Sequence, residues 1–579
     1  MPTQFHDQDF LRDKPLSGRV CLYIVCTALG LSLTACAAAP QSAPTKTTSS
    51  HELVIYSFND FHGHLQARQP VPAMVYRDAE HASKVAAGGY AYFASVLAEA
   101  RLRHPQSILV GAGDMIGASP MNAALLDDEP VIEALNRLNL SVSSLGNHEL
   151  DQGKAALRRK IDGKCPDQIC AFADFSGARF SYIAANLIDT ETGKPWLQPY
   201  VIRQIGELKI GFIGAVTTDT AHLVSANGIE GLNFEDEVTA VNRYVPELLS
   251  KGVDSIVLLI HEGANYRGEA NDTSYQCPGL QGRIINIVKG LDPAIGLVIS
   301  GHTHQAYTCK IEGRLVVQAR SYGAYLTETR LQIDPNKHRV MQSDSRNILV
   351  DQATYTPNTQ AAEFVAKVDA LTQTLRSREI AVLTQALTRQ GHANSYDSDL
   401  GNLVADAQLN FAQKQGGADI AFINSGGIRS DLLAPENRYP YRLQYGDLFA
   451  VQPFKNQLIR MQLSGKQIIA LLHQQWRQGS GDEAKKLAVS SGFSYVRGEN
   501  DVDGKGVSQV SFKGKALEEN ALYRVVVNQF LADGGDGFTV LKAGTQRASL
   551  GADIEALEFY LRQVPNFDAR SKEDRIVKP

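Results

Sequence analysis

The chain has 579 residues, with 57 lysines and arginines against 62 aspartates and glutamates, a formal net charge of −5 and 44% hydrophobic residues. That length allows two to four domains, each large enough to bury its own core. The near balance of charge gives no reason to invoke a nucleic-acid polymer, so an anionic substrate has to be caught by local cations.

Arg12, Lys14 and Arg19 precede an apolar stretch from Val20 to Leu33, which ends in Leu33-Thr34-Ala35-Cys36. The stretch falls short of the roughly 20 residues of a membrane span, and its flanks read as a targeting segment that does not belong to the fold. Small residues before a cysteine resemble a bacterial lipobox, which predicts residues 1–36 as a lipoprotein signal peptide with lipid on the Cys36 thiol. An ordinary secretory signal is the alternative. Ala37 after the cysteine resembles lipoproteins sent to the outer membrane, so the expected location is the periplasm or cell surface, held to a membrane through the N-terminal lipid. Residues 37–50 are small, polar and proline-interrupted, the composition of a flexible tether.

Five short apolar runs follow, and each stops at residue types that bind metal. Leu53 to Phe58 ends in Asn59-Asp60-Phe61-His62-Gly63-His64, and Ser107 to Val110 in Gly111-Ala112-Gly113-Asp114. The run ending Ser143-Ser144-Leu145 opens into Gly146-Asn147-His148-Glu149-Leu150-Asp151, Ser255 to Ile260 into His261, and Leu297 to Ser300 into Gly301-His302-Thr303-His304. Such runs read as buried strands, and in open α/β sheets ligands collect beyond the carboxyl ends of the strands. Any one motif reads equally well as a capped loop or a satisfied core histidine; five at strand ends point to a metal centre. The predicted ligands are Asp60, His62, Asp114, Asn147, His261, His302 and His304, while His64 reads as lining its loop.

Carboxylate, amide and imidazole without thiolate suit Zn, Mn, Co or non-haem Fe and decide among none of them. The set exceeds what one tetrahedral ion takes, so the expectation is two divalent ions about 3.5 to 4 Å apart sharing one carboxylate. Asp114, which comes alone from its strand, is the candidate bridge. His148 beside Asn147, with Asp151 three residues on, is the candidate for proton transfer; a polar histidine beside a helix-start carboxylate is the other reading.

With Cys21 and Cys26 in the targeting segment and Cys36 lipidated, Cys165, Cys170, Cys277 and Cys309 remain, an even number. Disulfides Cys165–Cys170 and Cys277–Cys309 are expected in an oxidising compartment.

Alternation from Tyr325 to Ile333 closes a first domain predicted over residues 51–345. A helical pattern from about Thr359 to Arg378, with Ala362, Phe364, Val365, Val368, Leu371 and Leu375 near helical spacing, makes 346–378 a linker with a connector helix. Residues 379–579 then alternate strands and helices: a helix over Gly401 to Phe411, a strand over Ala418 to Ile423, a helix from an N-cap at Ser464 to Trp476, and a strand over Tyr523 to Asn528. Arg429 follows a Gly-Gly turn, where a guanidinium grips phosphate or carboxylate bidentately or sits in a surface salt bridge. Phe454 and Phe530, beside Pro and Gly, stack on a flat base or fill a core.

The five strand-end motifs resemble those of calcineurin-like metallophosphoesterases. Asn424-Ser425-Gly426-Gly427-Ile428-Arg429, Gln452-Pro453-Phe454-Lys455-Asn456 and Phe530-Leu531-Ala532-Asp533-Gly534-Gly535-Asp536-Gly537-Phe538 narrow the resemblance to bacterial periplasmic UDP-sugar hydrolases and ecto-5'-nucleotidases, over about residues 51 to 575. The resemblance implies an α/β chain: an N-terminal metallophosphoesterase β-sandwich flanked by helices, a connector helix acting as a hinge, and a C-terminal α/β nucleotide-binding domain. It implies that Phe454 and Phe530 sandwich a nucleobase and that Asp536 receives the ribose hydroxyls. Asn424, Arg429 and Asn456 would hold other parts of the nucleotide, with His148 and Asp151 catalytic. One position departs: the family's arginine six residues before Leu400 of Leu400-Gly401-Asn402-Leu403 is Asn394 here, and His392 or Arg389 would have to replace it.

The expectation is an exported two-metal phosphohydrolase acting on 5'-nucleotides and also on UDP-sugars or dinucleotides. A 2',3'-cyclic-nucleotide phosphodiesterase with 3'-nucleotidase activity, a non-catalytic surface nucleotide-binding protein, and a sulfur-ester hydrolase are the alternatives.

Overall fold

The structure is a computed structural model that describes residues 51–68, 73–76, 84–165, 169–224, 228–391, 395–476, 485–499, 504, 506–563, 566–567 and 574–579. The predicted signal peptide with Cys36, the tether, His392 and Asn394 lie outside the described residues.

The first half is a sandwich of two mixed sheets. In the first sheet β1 (His51–Phe58), β2 (Ile108–Ala112), β3 (Leu140–Ser144) and β4 (Ser181–Ile183) run parallel. The second contains β5 (Tyr200–Ile205) and β6 (Leu208–Val216), an antiparallel pair, then β7 (Ser255–His261) and β8 (Ile295–Ser300) parallel to β6. An antiparallel pair, β9 (Ala306–Ile311) and β10 (Arg314–Ala319), completes that sheet, while β11 (Tyr325–Asp334) and β12 (Arg339–Leu349) extend the first beside β1.

Both faces of each sheet are covered, which is why the parallel strands read as continuous apolar runs rather than as alternation. Along β1, Leu53 and Ile55 pack between the sheets with Val110, Val142, Phe212, Leu259 and Ile299. The intervening Val54, Tyr56 and Phe58 pack outward with Phe93, Val96 and Leu135, which sit on helices Tyr90–Arg103 and Glu129–Arg137. Helices Glu237–Ser250 and Arg283–Gly290 cover the opposite face. Full burial of each such Leu, Ile, Val or Phe contributes about 1.5–3 kcal/mol, so the strands are fixed rods and their carboxyl ends stationary.

The strand β12 runs to Leu349 in register with β11, so the sheet continues past the expected end of the first domain near residue 345. The predicted connector is a helix, Thr359–Arg376, capped by Asn358, whose side chain accepts from Ala361 N–H. It lies on the first half through Ala361, Phe364 and Val368. Leu371 and Leu375 belong to the expected apolar stripe but are 57% and 41% exposed. By helical spacing they lie on the same side as Phe364 and Val368 and stand exposed toward the end of the helix.

In the second half β13 (Ile420–Asn424), β14 (Gln457–Ser464), β15 (Leu487–Val489), β16 (Leu522–Asn528) and β17 (Thr545–Ala552) form a sheet in the order β15-β13-β16-β14-β17. Helix Asp399–Lys414 extends the predicted segment by two residues before and three after, and packs on this sheet with Asp553–Gln563. Ser464 caps Gly465–His473 in a capping box with Gln467, after which a tighter 3₁₀ turn carries the chain to Trp476. Met121, from a short helix of the first half (Met121–Ala124), is buried among Ile380, Leu400, Leu403 and Ile428 of the second. Beside it Asn122 Nδ2 donates to Asp369 Oδ1 at 3.0 Å, on the connector helix.

Candidate metal centre and active site

The carboxyl ends of β1, β2, β3, β7 and β8 converge, and all seven predicted ligands meet there. The backbone of Asp60, His62, Asp114, His302 and His304 has φ between 48° and 74°, the left-handed region that non-glycine residues rarely occupy. Such conformations cost on the order of 1–3 kcal/mol each and persist where the surrounding structure imposes them, typically at functional sites. Between them the chain turns tightly: a Cβ on Gly146 would run into the backbone and carboxylate of Asp114.

Ligand atoms of Asp60, His62 and His304 lie within 4.8 Å of one another, as do those of Asp114, His261 and His302. His62 Nε2 is 3.6 Å from Asp114 Oδ2 and 3.2 Å from His304 Nε2, so the two groups adjoin. His304 Nε2 is 3.2 Å from Asp60 Oδ1, and His261 Nε2 3.0 Å from Asp114 Oδ2. Asn147 Oδ1 sits 3.1 Å from His302 Nδ1. His64 belongs to neither group and stacks on Tyr322 at 4.0 Å.

The imidazole tautomers follow from their partners. His62 Nδ1 lies 2.9 Å from the Gly117 carbonyl and His261 Nδ1 2.8 Å from that of Ala112. A carbonyl only accepts, so both Nδ1 atoms carry hydrogen and both rings turn Nε2 inward, the orientation of metal-ligating histidine. His261 Nε2 is buried against the Asp114 carboxylate. Burial pulls the His261 pKa down, but the Asp114 and Asp60 carboxylates and the Ala112 carbonyl together lift it to about 10. Burial holds His62 neutral, its pKa well below the ordinary value, and takes His302 to about 3. Lone pairs facing carboxylates, with oxygen and nitrogen donors only, fit a pair of divalent cations. A third grouping, Glu129 with Cys165 and Cys170, is closed by the disulfide.

His148 Nδ1 donates to Asp151 Oδ2 at 2.9 Å, and the His148 backbone N–H donates to Asp114 Oδ1 at 2.9 Å. Burial disfavours the imidazolium, yet Asp151 and Asp114 together raise the pKa above its usual value.

Two neighbours of the ligands went unread in the sequence. Glu149 accepts from the N–H groups of Met115 at 2.7 Å, Gly146 at 2.8 Å and Asp114 at 2.9 Å, tying the turn after β2 to the turn after β3. Burial and the nearby Asp114 charge push its pKa to about 7. Asn59 donates to Asp60 Oδ2 at 2.6 Å and accepts from Ala319 N–H at 2.8 Å, orienting the first carboxylate. Their place inside Asn-Asp-x-His and Gly-Asn-His-Glu was the available signal.

One cavity of about 720 Å³ is lined by Asp114, Asn147, His148, Asp151, His302 and His304 from the first half. Asn424, Arg429, Phe454, Asn456, Phe530 and Asp536 line it from the second, so every predicted substrate residue faces the ligand cluster. Asn424 ends β13, Asn456 precedes β14 and Phe530 follows β16. Asn424 Nδ2 donates to Asp536 Oδ2 at 2.6 Å and Asn424 Oδ1 accepts from Asn528 at 3.2 Å, which orients the Asp536 carboxylate. The Phe530 ring lies against Gly535, where any Cβ would enter it, and the Arg429 guanidinium is 5.8 Å from the Phe454 ring centre. Disulfides Cys165–Cys170 and Cys277–Cys309 are both formed, the second joining the loop after β7 to β9.

Calcineurin-like phosphoesterase matches residues 53–306, and the 5'-nucleotidase C-terminal domain matches residues 379–543. The chain is 30% identical over 526 residues to Endonuclease YhcR of Bacillus subtilis, covering 90% of this chain and 41% of that protein. It is 31% identical over 546 residues to Cell wall protein Lmo0130 of Listeria monocytogenes, covering 88% and 66%. It therefore spans less than two thirds of the length of both relatives. Among solved structures, a 5'-nucleotidase precursor from Thermus thermophilus matches with a TM-score of 0.75 and 27% identity, over 91% of this chain and 99% of that one.

Proposed function

This chain belongs to the calcineurin-like phosphoesterases that carry a 5'-nucleotidase C-terminal domain, and from that membership we propose that it is a metal-dependent phosphohydrolase releasing phosphate from 5'-nucleotides. The observation that carries the reading is the shared cavity, in which the ligand cluster of one half faces the phenyl, amide and guanidinium groups of the other. Asp60, His62 and His304 would hold one divalent cation and Asp114, His261, His302 and Asn147 the other, with Asp114 reaching toward both. Zn, Mn and Co all suit these donors. When bound, such a pair lowers the pKa of water and offsets charge on phosphoryl oxygens.

The protein's own groups do the rest. Arg429, which holds no ion pair among the described residues, grips the phosphoryl group. His148, fixed through Nδ1 by Asp151, presents Nε2 to protonate the departing 5'-oxygen. Phe530 and Phe454 supply aromatic faces for the base, and Asp536, oriented by Asn424, receives ribose hydroxyls. Asn456 borders the same space. UDP-sugars and dinucleotides are further substrates in this reading. Export, lipidation at Cys36 and an outer-membrane location complete it.

The test is phosphate release from AMP, ATP, UDP-glucose, NAD and a 2',3'-cyclic nucleotide after chelation and after addition of Zn, Mn or Co. Metal-restored AMP cleavage that is lost in Asp114→Asn supports the reading. Silence on all five substrates with metal bound removes it.

A further inference from the structure

The second half holds a cavity of its own, of about 420 Å³, away from the ligand cluster. Among the described residues it shares only Ser425 with the catalytic cavity, just beyond Asn424 at the end of β13. The volume is that of a small-molecule site. Ile423, Ile428, Leu487, Ala488 and Ile576 form the apolar part of its lining, while Tyr396, Arg389, Asp431, Lys486 and Arg497 bring polarity and charge.

Arg497 ends the strand Phe493–Arg497 and is 2% exposed, yet no carboxylate among the described residues pairs with it. Its Cζ lies 4.6 Å from the centre of the Tyr396 ring and 4.4 Å from that of Trp476. Ring faces attract a guanidinium, but they do not replace the oxygen acceptors that its five N–H groups are built to meet. Nε and Nη2 are buried without a hydrogen-bond partner, and Nη1 reaches the Gly498 carbonyl only at 3.5 Å. Burial pulls the Arg497 pKa down, and the groups that oppose it are the phenols of Tyr495 and Tyr396.

A cation taken out of water without a counter-charge is costly, and folded chains normally supply one. The other charges of this cavity do not. Asp431 is held by Arg389, whose Nε and backbone N–H donate to it at 3.0 and 2.8 Å, so that pair cancels itself. What remains is a second cation: Lys486 Nζ lies 5.8 Å from the centre of the same Tyr396 ring and holds no ion pair among the described residues.

We propose that this cavity is a binding site for a small organic carboxylate. Its oxygens accept from Arg497 and Lys486, charge-assisted bonds of the stronger kind, and its apolar body lies against Ile423, Ile428 and Leu487 beside the Tyr396 ring. The apolar lining selects against inorganic phosphate, whose remaining oxygens would lose water there and gain no donors in exchange. The inference stands apart from the phosphohydrolase reading, since none of these residues belongs to the ligand cluster or grips the nucleotide.

The chain has two tryptophans, Trp196 and Trp476. Trp476, tied through its indole N–H to the Glu499 carbonyl at 3.1 Å, sits on Arg497, so in a Trp196→Phe background its emission reports this cavity. The full metal-loaded chain is titrated with benzoate, with the neutral benzamide and with inorganic phosphate. Benzoate is expected to give a saturable change in emission, and both comparison compounds to bind at least about 10-fold more weakly. Arg497→Gln should weaken benzoate about 10- to 100-fold and the exposed Lys486→Gln about 3- to 10-fold. An unchanged circular dichroism spectrum shows that a variant is folded; if Arg497→Gln does not fold, Lys486→Gln decides alone. No saturable response to benzoate, or benzamide binding as tightly, overturns the site. Phosphate binding as tightly as benzoate overturns the carboxylate assignment. Benzoate affinity unchanged in every folded variant places the ligand elsewhere and overturns the proposal.

Discussion

The rings of His148 and Phe454, one from each half of the molecule, lie 5.8 Å apart and within 12° of parallel. A base inserted between two parallel rings needs about 7 Å, twice the contact distance of carbon atoms. No base fits between these two at this separation, so base stacking on Phe454 has to use the ring's other face or requires the halves to part.

If His148 protonates the departing 5'-oxygen, His148→Ala should lower kcat on AMP by about 10²- to 10⁴-fold. Turnover of p-nitrophenyl phosphate, whose phenolate departs without a proton, should fall far less. Equal losses on the two substrates would make His148 a positioning residue only.

Phe530→Ala should raise KM for AMP by about 10- to 100-fold, the equivalent of 1–3 kcal/mol of base stacking. The same variant should leave KM for p-nitrophenyl phosphate unchanged, because that substrate offers no base. A rise on both substrates would place Phe530 in the support of the metal site.

Glu149→Gln keeps the side chain's shape but puts an amide nitrogen in place of one carboxylate oxygen, facing either the N–H of Met115 or the N–H groups of Asp114 and Gly146. Metal affinity should weaken by about 10- to 100-fold, as for other groups that orient ligands. Competition with a chromophoric chelator measures this directly, and an unchanged affinity would confine Glu149 to a structural role.

Asp553 is 1% exposed, and burial raises its pKa to about 7. Because the unfolded pKa is near 3.9, the folded chain binds this proton more tightly. Its contribution to stability is therefore present at low pH and is lost as pH rises from about 4 to about 7. Asp553→Asn should melt about 2–4 °C above wild type at pH 8, with the gap closing toward pH 4. A gap independent of pH would show that the carboxyl does not titrate in this range.

The ligand set was legible because parallel strands covered on both faces are written as unbroken apolar runs, and such a run can only end at a surface or a site. Asp60, Asp114, Asn147, His261 and His302 each stand at such an end. The left-handed backbone at five ligands was not legible, since the surrounding turns impose it rather than local preference. Glu149 was missed because its partners are backbone N–H groups from two separate turns, which no side-chain motif announces. The expected stripe on the connector helix ran from Phe364 and Val368 on to Leu371 and Leu375; the first two are buried, while the leucines, on the same side nearer the helix end, stay exposed.

Met121 belongs by sequence to the metal-binding half and by packing to the core of the other half. A chain cut between the halves would leave that core with a hole where the thioether sat, and the remaining fragment with an unprotected methionine on a short helix. An exchange of either half therefore has to bring along a residue that fills, or accepts, the Met121 position.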